Sequence, residues 1–322
     1  MADTIQRIST LHDINGISTV TFQHIYISPM ATPISIPAPS VPAFRDIAKS
    51  SNDVLQRDFY HSSPLSLKAR TTAPNGVSFS VSGVSDSKSD SLNGNLETKY
   101  ADKATGVTLT QGWLTSNVLN TRVEMNDAFS PGLNGAVNTR FEPGTGARSA
   151  NVGLTYKHPG VNANVVADVF KSAFTGNVVF GHKGFVSGAE IAYDIRKGQI
   201  KQYGTTIGYI APAYSASVST ANNFSVYSAS IYHRVNPNTE LGASATWKKL
   251  GISDAIKLEA AVKHKLDSSS FVKAKLDNYG IAALSYSQII RPGVTLGVGL
   301  EANIEKLNES SHKVGLSLDF SA

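Results

Sequence analysis

The sequence predicts an all-β transmembrane barrel of about 19 strands accompanied by one N-terminal amphipathic helix. Three observations predict it. From about Leu65 to the last residue, stretches of roughly ten residues alternate apolar with polar between short turn signals. No run of about 18 apolar residues occurs, so a helical membrane span is not expected. The apolar rows are rich in Ala, Val and Thr, and the rows opposite carry Lys, Arg, Asn, Ser and Gly, a pairing that cannot fill a close-packed dry core.

The alternation is clearest near the C-terminus. Val294, Leu296, Val298, Leu300, Ala302 and Ile304 alternate with Thr295, Gly297, Gly299, Glu301 and Asn303. The same two rows recur in Val314, Leu316, Leu318 and Phe320 against Lys313, Gly315, Ser317 and Asp319. A third case sets Leu258, Ala260, Val262, His264 and Leu266 against Lys257, Glu259, Ala261, Lys263 and Lys265. Successive strand residues point to opposite faces, so one face meets hydrocarbon and the other meets water. A ten-residue strand rises roughly 33 Å and, tilted by about 45°, spans ~23 Å of bilayer. Soluble strands are shorter, commonly about five or six residues.

Composition agrees. Charged residues make up 16% of the chain, against about 25% in average soluble domains. The net charge of +5 and the pI near 9.2 are spread along the strands. A clustered basic face is missing, which argues against nucleic acid as a partner. With no cysteine, disulfides, thiolate metal sites and cysteine nucleophiles are excluded.

The elements follow in order. Residues 1–42 are expected to form a disordered N-terminal extension: 1–29 are polar and β-branched without helical periodicity, and Met30 opens a stretch holding Pro33, Pro37, Pro39 and Pro42. Residues 1–29 offer only Arg7 and two Asp, matching neither a secretory signal nor a transit peptide, and Met30 supplies an alternative translation start. Residues 43–57 read as the amphipathic helix, with Phe44, Ile47, Ser51, Val54 and Leu55 on one face and Arg45, Asp46, Lys49, Asn52, Asp53, Gln56 and Arg57 on the other. Pro42 suits the helix start. Amphipathicity alone leaves open whether this helix lies on the membrane surface or inside a pore.

The barrel occupies 65–322. Strands are expected at Leu65–Thr72, Val77–Gly83, Leu92–Tyr100, Gly106–Trp113, Val118–Met125, Leu133–Phe141, Ala150–His158, Val161–Phe170 and onward to Phe320. Turn chemistry sits at Asn75-Gly76, Pro131-Gly132, Pro143-Gly144, Pro159-Gly160, Lys183-Gly184 and Pro292-Gly293. A meander with tight turns leaves sticky edges unless it closes, and closure satisfies every backbone group in lipid.

The segment from His264 through Asp267, Ala274, Lys275, Leu276, Asp277 and Asn278 to Ala283, Leu284 and Tyr286 resembles the signature of the eukaryotic mitochondrial porins, the voltage-dependent anion channels, in a fungal wording. The resemblance runs from about Val41 to Ala322 and includes Asp53-Val54, Asn75-Gly76-Val77, Leu96 to Tyr100, Gly181 to Phe185, Val294 to Gly299 and His312 to Gly315. It implies a nineteen-stranded barrel in the mitochondrial outer membrane, the helix folded into the lumen, and passage of ATP, ADP, phosphate and inorganic ions. An odd strand number implies a parallel pairing of Leu65–Thr72 with Lys313–Phe320. No cofactor, metal or enzymatic activity is implied.

Such strands, about 4.8 Å apart and tilted by roughly 45°, give a backbone diameter of ~40 Å and a bore of ~20–25 Å after side chains. The water-facing rows carry Lys68, Arg70, Lys99, Arg122, Arg140, Lys257, Lys263, Lys265, Lys273 and Lys275, with fewer acids such as Glu97, Glu124, Glu259 and Asp277. This excess is expected to favour anions mildly, because the Debye length is about 8 Å at physiological salt. Arg45, Asp46, Lys49, Asp53 and Arg57 are the expected gating-helix charges, the three cations forming the voltage-sensitive set.

Two positions depart from the family. Gln111 falls on the lipid row where animal members carry a Glu, and the Gly-Leu-Lys motif associated with nucleotides reads Gly132-Leu133-Asn134. Gly297-Val298-Gly299 with Ala302 mimics part of a dinucleotide fingerprint but lies inside a strand with no helix after it. The alternative function is an outer-membrane protein-import pore of the same architecture. Expected partners are membrane lipids and small anionic metabolites including nucleotides, and self-association or docking of cytosolic kinases can coexist with a channel.

Overall fold

The computed structural model describes residues 41–322 except 87–90, 103, 128–129, 250–253 and 309–311, so the expectations for 1–40, including the Met30 start, lie outside the described residues. Nineteen strands form one sheet: β1 (Leu65–Thr72), β2 (Val77–Asp86), β3 (Ser91–Asp102), β4 (Val107–Leu114), β5 (Val118–Asn126), β6 (Leu133–Glu142), β7 (Ala147–His158), β8 (Val161–Asp168), β9 (Ala173–His182) and β10 (Phe185–Asp194). The rest are β11 (Gln199–Ile210), β12 (Tyr214–Ala221), β13 (Val226–Asn236), β14 (Thr239–Lys249), β15 (Asp254–Lys265), β16 (Ser270–Asp277), β17 (Ile281–Arg291), β18 (Val294–Asn303) and β19 (Lys313–Ser321). Neighbours in sequence pair antiparallel throughout, and β1 closes the barrel against β19 in parallel, Leu65 opposite Leu316 and Lys68 opposite Asp319. The odd strand count makes that one parallel seam unavoidable. No helix among the described residues is long and apolar enough to cross a membrane.

Turn chemistry sets the register. Lys183 and Gly184 both hold positive φ, 48° and 89°, which makes a two-residue mirror-image turn whose twist matches its strands. At Gly132 a Cβ would collide with the Lys157 carbonyl of the next hairpin, so only glycine fits.

The outward row is apolar and uncovered: Val81, Leu96, Trp113, Leu154, Ile207, Val218, Ile231, Leu284 and Val314 all face away from the interior. Aromatic pairs gird it near both ends. Phe185, Tyr209 and Tyr214 cluster at the rim that bears the β9–β10 and β11–β12 turns, the first rim. Phe174–Tyr193, Tyr203–Phe224 and Tyr227–Trp247 pair at the opposite, second rim. Two aromatic belts flanking an apolar band are what a barrel wall in a bilayer requires.

The core is small and lies inside the barrel, where the N-terminal segment meets the wall. One cluster joins Val41 and Ile47 to Val179 and Val186, and another joins Val54 and Leu55 to Tyr232 and Ala261. The single helix expected over 43–57 is divided into a 3-10 turn at Phe44–Asp46 and a helix α1 at Lys49–Gln56, and a further 3-10 turn follows beyond it at Tyr60–Ser62. Arg57 leaves α1 extended at ψ 152° and Asp58 takes a positive φ of 58°, so the chain can cross to the seam. Val41, inside the 1–42 extension expected from sequence, is packed: its side chain is 7% exposed and its carbonyl accepts a hydrogen bond from Asn162 at 3.0 Å.

Candidate functional site

The candidate site is the barrel lumen and the segment docked along it. Strand parity puts Lys68, Arg70, Lys99, Arg122, Arg140, Lys257, Lys263, Lys265, Lys273 and Lys275 on the row opposite the uncovered apolar one. Gln111 is outward, between Thr98 and Thr121, and Asn134 is inward, its side-chain oxygen accepting the Asp127 N–H at 3.2 Å.

The segment runs around the inner wall from β9 to β19, starting beside the β9–β10 turn of the first rim. Val41 meets Gly181 of β9, Phe44 meets Gly188 of β10, Ile47 meets Gly208 of β11, Val54 meets Gly242 of β14, and Tyr60 lies on Gly297, Gly299 and Gly315 of β18 and β19. A Cβ at Gly299 would stand 2.6 Å from the His61 nitrogen, so the wall there must be bare backbone. Polar clasps add direction. Ser51 Oγ donates to the Ala243 carbonyl at 3.3 Å, and Ser285 Oγ donates to the Asp58 carbonyl at 2.5 Å. The Leu316 N–H donates to the Pro64 carbonyl at 3.0 Å as the chain enters β1.

His61 anchors the segment at the seam. It is 8% exposed, and its Nε2 lies 2.8 Å from Glu301 Oε2, while Glu301 Oε1 also holds Lys313 Nζ at 2.5 Å. Its Nδ1 is buried without a hydrogen-bond partner among the described residues. Burial holds the imidazole below its ordinary value; Glu301 opposes that shift, and Lys275 and Lys313 add to it. Burial likewise pushes the Tyr60 phenol up.

The ten predicted cations divide by environment. Arg122 is tied to Glu124 and Lys257 to Glu259, both at 2.6 Å. Lys275 stands 3.9 Å from Glu259 and 5.2 Å from the Phe59 ring centre, while Lys263 lies over Phe271 at 4.4 Å. Lys68, Arg70, Lys99, Arg140 and Lys265 make no ion pair among the described residues. Lys273 corrects the sequence reading: it is on the inward row but 2% exposed, covered by the segment, and so does not line the water. Parity reports the face of a strand, not what lies on it.

On the segment, Arg45, Asp46, Lys49 and Arg57 are exposed and Asp53 is half-buried. Lys49 lies 3.6 Å from Asp53 and Arg57 3.7 Å from Asp58, loose surface pairs of small energetic worth. Sequence reasoning missed Asn162, Phe59, His61, Ser285 and Glu301. The signals were present as Phe59-Tyr60-His61 ahead of Pro64 and as glycines spaced by two on one strand face.

Residues 40–315 match the family described as eukaryotic porin. The chain is 42% identical to the mitochondrial outer membrane protein porin of Candida albicans, covering 87% of this chain and 99% of that protein. It is 43% identical to the protein of the same name from Neurospora crassa, at 87% and 99% coverage. It is 39% identical to non-selective voltage-gated ion channel 1 of Saccharomyces cerevisiae, at 88% and 100% coverage.

Proposed function

From the fact that this chain belongs to the eukaryotic porin family, we propose that it is a voltage-gated, weakly anion-selective channel through which small hydrophilic metabolites and inorganic ions cross the mitochondrial outer membrane. The observation that carries this reading is a closed 19-stranded barrel whose inner row is polar and charged, with the N-terminal segment laid along one wall. The family is one of pores, and no enzymatic activity is assigned. Nucleotides and phosphate are the solutes whose charge suits Lys68, Arg70, Lys99, Arg140 and Lys265, inward cations that make no ion pair among the described residues. Arg122 and Lys257 contribute less, because each is compensated by a carboxylate at hydrogen-bond distance. The exposed charges Arg45, Lys49 and Arg57 belong to the voltage-sensitive element, with Asp46 and Asp53 beside them.

The protein-import alternative gains no support from the family match or the relatives' names. Self-association within the membrane and docking of cytosolic kinases at a rim are separate properties, read by crosslinking in liposomes and by co-sedimentation. The channel itself is tested by single-channel current from the refolded protein in a planar bilayer under a salt gradient and a voltage ramp. Large steps with mild anion preference, giving way at either polarity to smaller and more cation-tolerant steps, are expected. Cation preference with block by presequence peptides would overturn the reading in favour of an import pore.

A further inference from the structure

Lys273 is the most deeply buried charge in the described barrel wall. Its Nζ donates to the carbonyl of Asp53 at 2.8 Å and to that of Arg57 at 2.5 Å, and it lies 4.8 Å from the centre of the Phe59 ring. No carboxylate is within ion-pair distance of it among the described residues, and its cross-strand neighbour in register is another cation, Lys263. What compensates a buried ammonium here is therefore backbone and ring. The Asp53 carbonyl is among the last four of α1, which have no partner within the helix, and the negative end of the helix dipole points the same way.

We propose that Lys273 is the positioning residue that fixes the C-terminal turn of the segment to the barrel wall, its charge held by the segment's own carbonyls instead of being presented to permeating ions. The proposal rests on the lumen reading above. One consequence is that docking and charge are coupled: a segment lifted from the wall leaves Lys273 in the lumen beside Lys263.

The chain has no cysteine, so Ser51→Cys, a nearly isosteric change at a residue 1% exposed, places a single reporter under the segment. Its labelling by a water-soluble maleimide reads docking without reference to conduction, so a failed channel assay and a failed latch are distinguishable. In refolded barrels, Lys273→Met is expected to speed labelling at least tenfold and Lys273→Arg to restore it to within about threefold of the parent. Lys263→Gln is expected to shift the reversal potential in a salt gradient while leaving labelling unchanged. If Lys273→Met refolds poorly, the unsubstituted protein still decides. Acetylation by a water-soluble succinimidyl ester, followed by peptide mass spectrometry, should modify Lys273 at least tenfold more slowly than Lys265. Equal acetylation of the two lysines, or a Lys273→Met barrel that labels at the parent rate, would overturn the proposal.

Discussion

Removing Arg45, Lys49 and Arg57 together asks whether the segment senses voltage. Between Phe44 and Ser62 three cations are balanced by Asp46, Asp53 and Asp58, so with His61 neutral the segment is neutral as a body. Moved intact across the field, it would carry almost no gating charge; the charges act only through their separate displacements. The triple change to Gln leaves three uncompensated carboxylates. A full crossing is worth about 2.3 kcal/mol per charge per 100 mV, so if the segment swings through roughly a third of the field the variant's gating charge changes by about one elementary charge. That equals ~2.3 kcal/mol per 100 mV, enough to alter visibly the steepness of the conductance–voltage curve. The assay is macroscopic conductance of many channels in a planar bilayer at both polarities. Unchanged steepness and midpoint at both polarities would refute the reasoning and place the sensor in the wall.

Other outcomes follow from the same geometry. Anion preference should fade when both bathing solutions are concentrated from about 0.1 M to 1 M, because the screening length contracts from about 10 Å to 3 Å; a preference independent of salt would mean a narrow binding filter. His61 is a base whose docked value is lowered, so the docked segment binds fewer protons than the free one. Docking is then at full strength above about pH 6.5 and weakens as pH falls from there towards the lowered value, and His61→Gln should flatten the pH dependence of Ser51→Cys labelling. Gly299→Val puts side-chain atoms where the Tyr60 and His61 backbone lies. Overpacking by ~1–3 kcal/mol predicts roughly fivefold or faster labelling of the same cysteine, with the barrel still formed; no change would show that the seam does not hold the segment.

The barrel was legible in the sequence because its signal is redundant. A period of two over strands such as Val294–Asn303 fixes the face, glycine-containing turns fix the register, and a slip of one residue would turn a whole apolar row into water. The parallel seam followed from strand number alone. The segment was legible only as amphipathic. Ile47, Ser51, Val54 and Leu55 were correctly placed on one buried face, yet the same stripe would suit a helix on the membrane surface. The helix end at Arg57 was legible, but the turn after it was not: it depends on Asp58 adopting a positive φ, which an aspartate tolerates without advertising it. Lys273 was misread for a geometric reason: its row faces inward, and only long-range packing over more than 200 residues decides that the segment lies across it. The clue lay in Gly297, Gly299 and Gly315: the first two are spaced as in a dinucleotide fingerprint, but all three are bare because the Tyr60 ring lies on Gly297 and the backbone of Tyr60 lies on Gly299 and Gly315.

The placement of charge also constrains how such a channel can close. The inward cations named above, with Lys313, fall into those engaged in docking, Lys273 and Lys275 near Phe59 and Lys313 on Glu301, those held by the wall, Arg122 on Glu124, Lys257 on Glu259 and Lys263 over Phe271, and those with no ion pair among the described residues, Lys68, Arg70, Lys99, Arg140 and Lys265. Lifting the neutral segment from the wall uncovers Lys273 and removes no positive charge, so undocking alone makes the lumen more attractive to anions. A closed state that tolerates cations therefore requires something further: carboxylates Asp46, Asp53 and Asp58 brought towards the axis, or cations of β1, β3 and β6 withdrawn from it. The two routes separate in one measurement. Closed-state reversal potentials of Asp46→Asn, Asp53→Asn, Asp58→Asn barrels should return towards anion preference if the segment supplies the closed-state charge. An unchanged closed-state value would assign that charge to the wall.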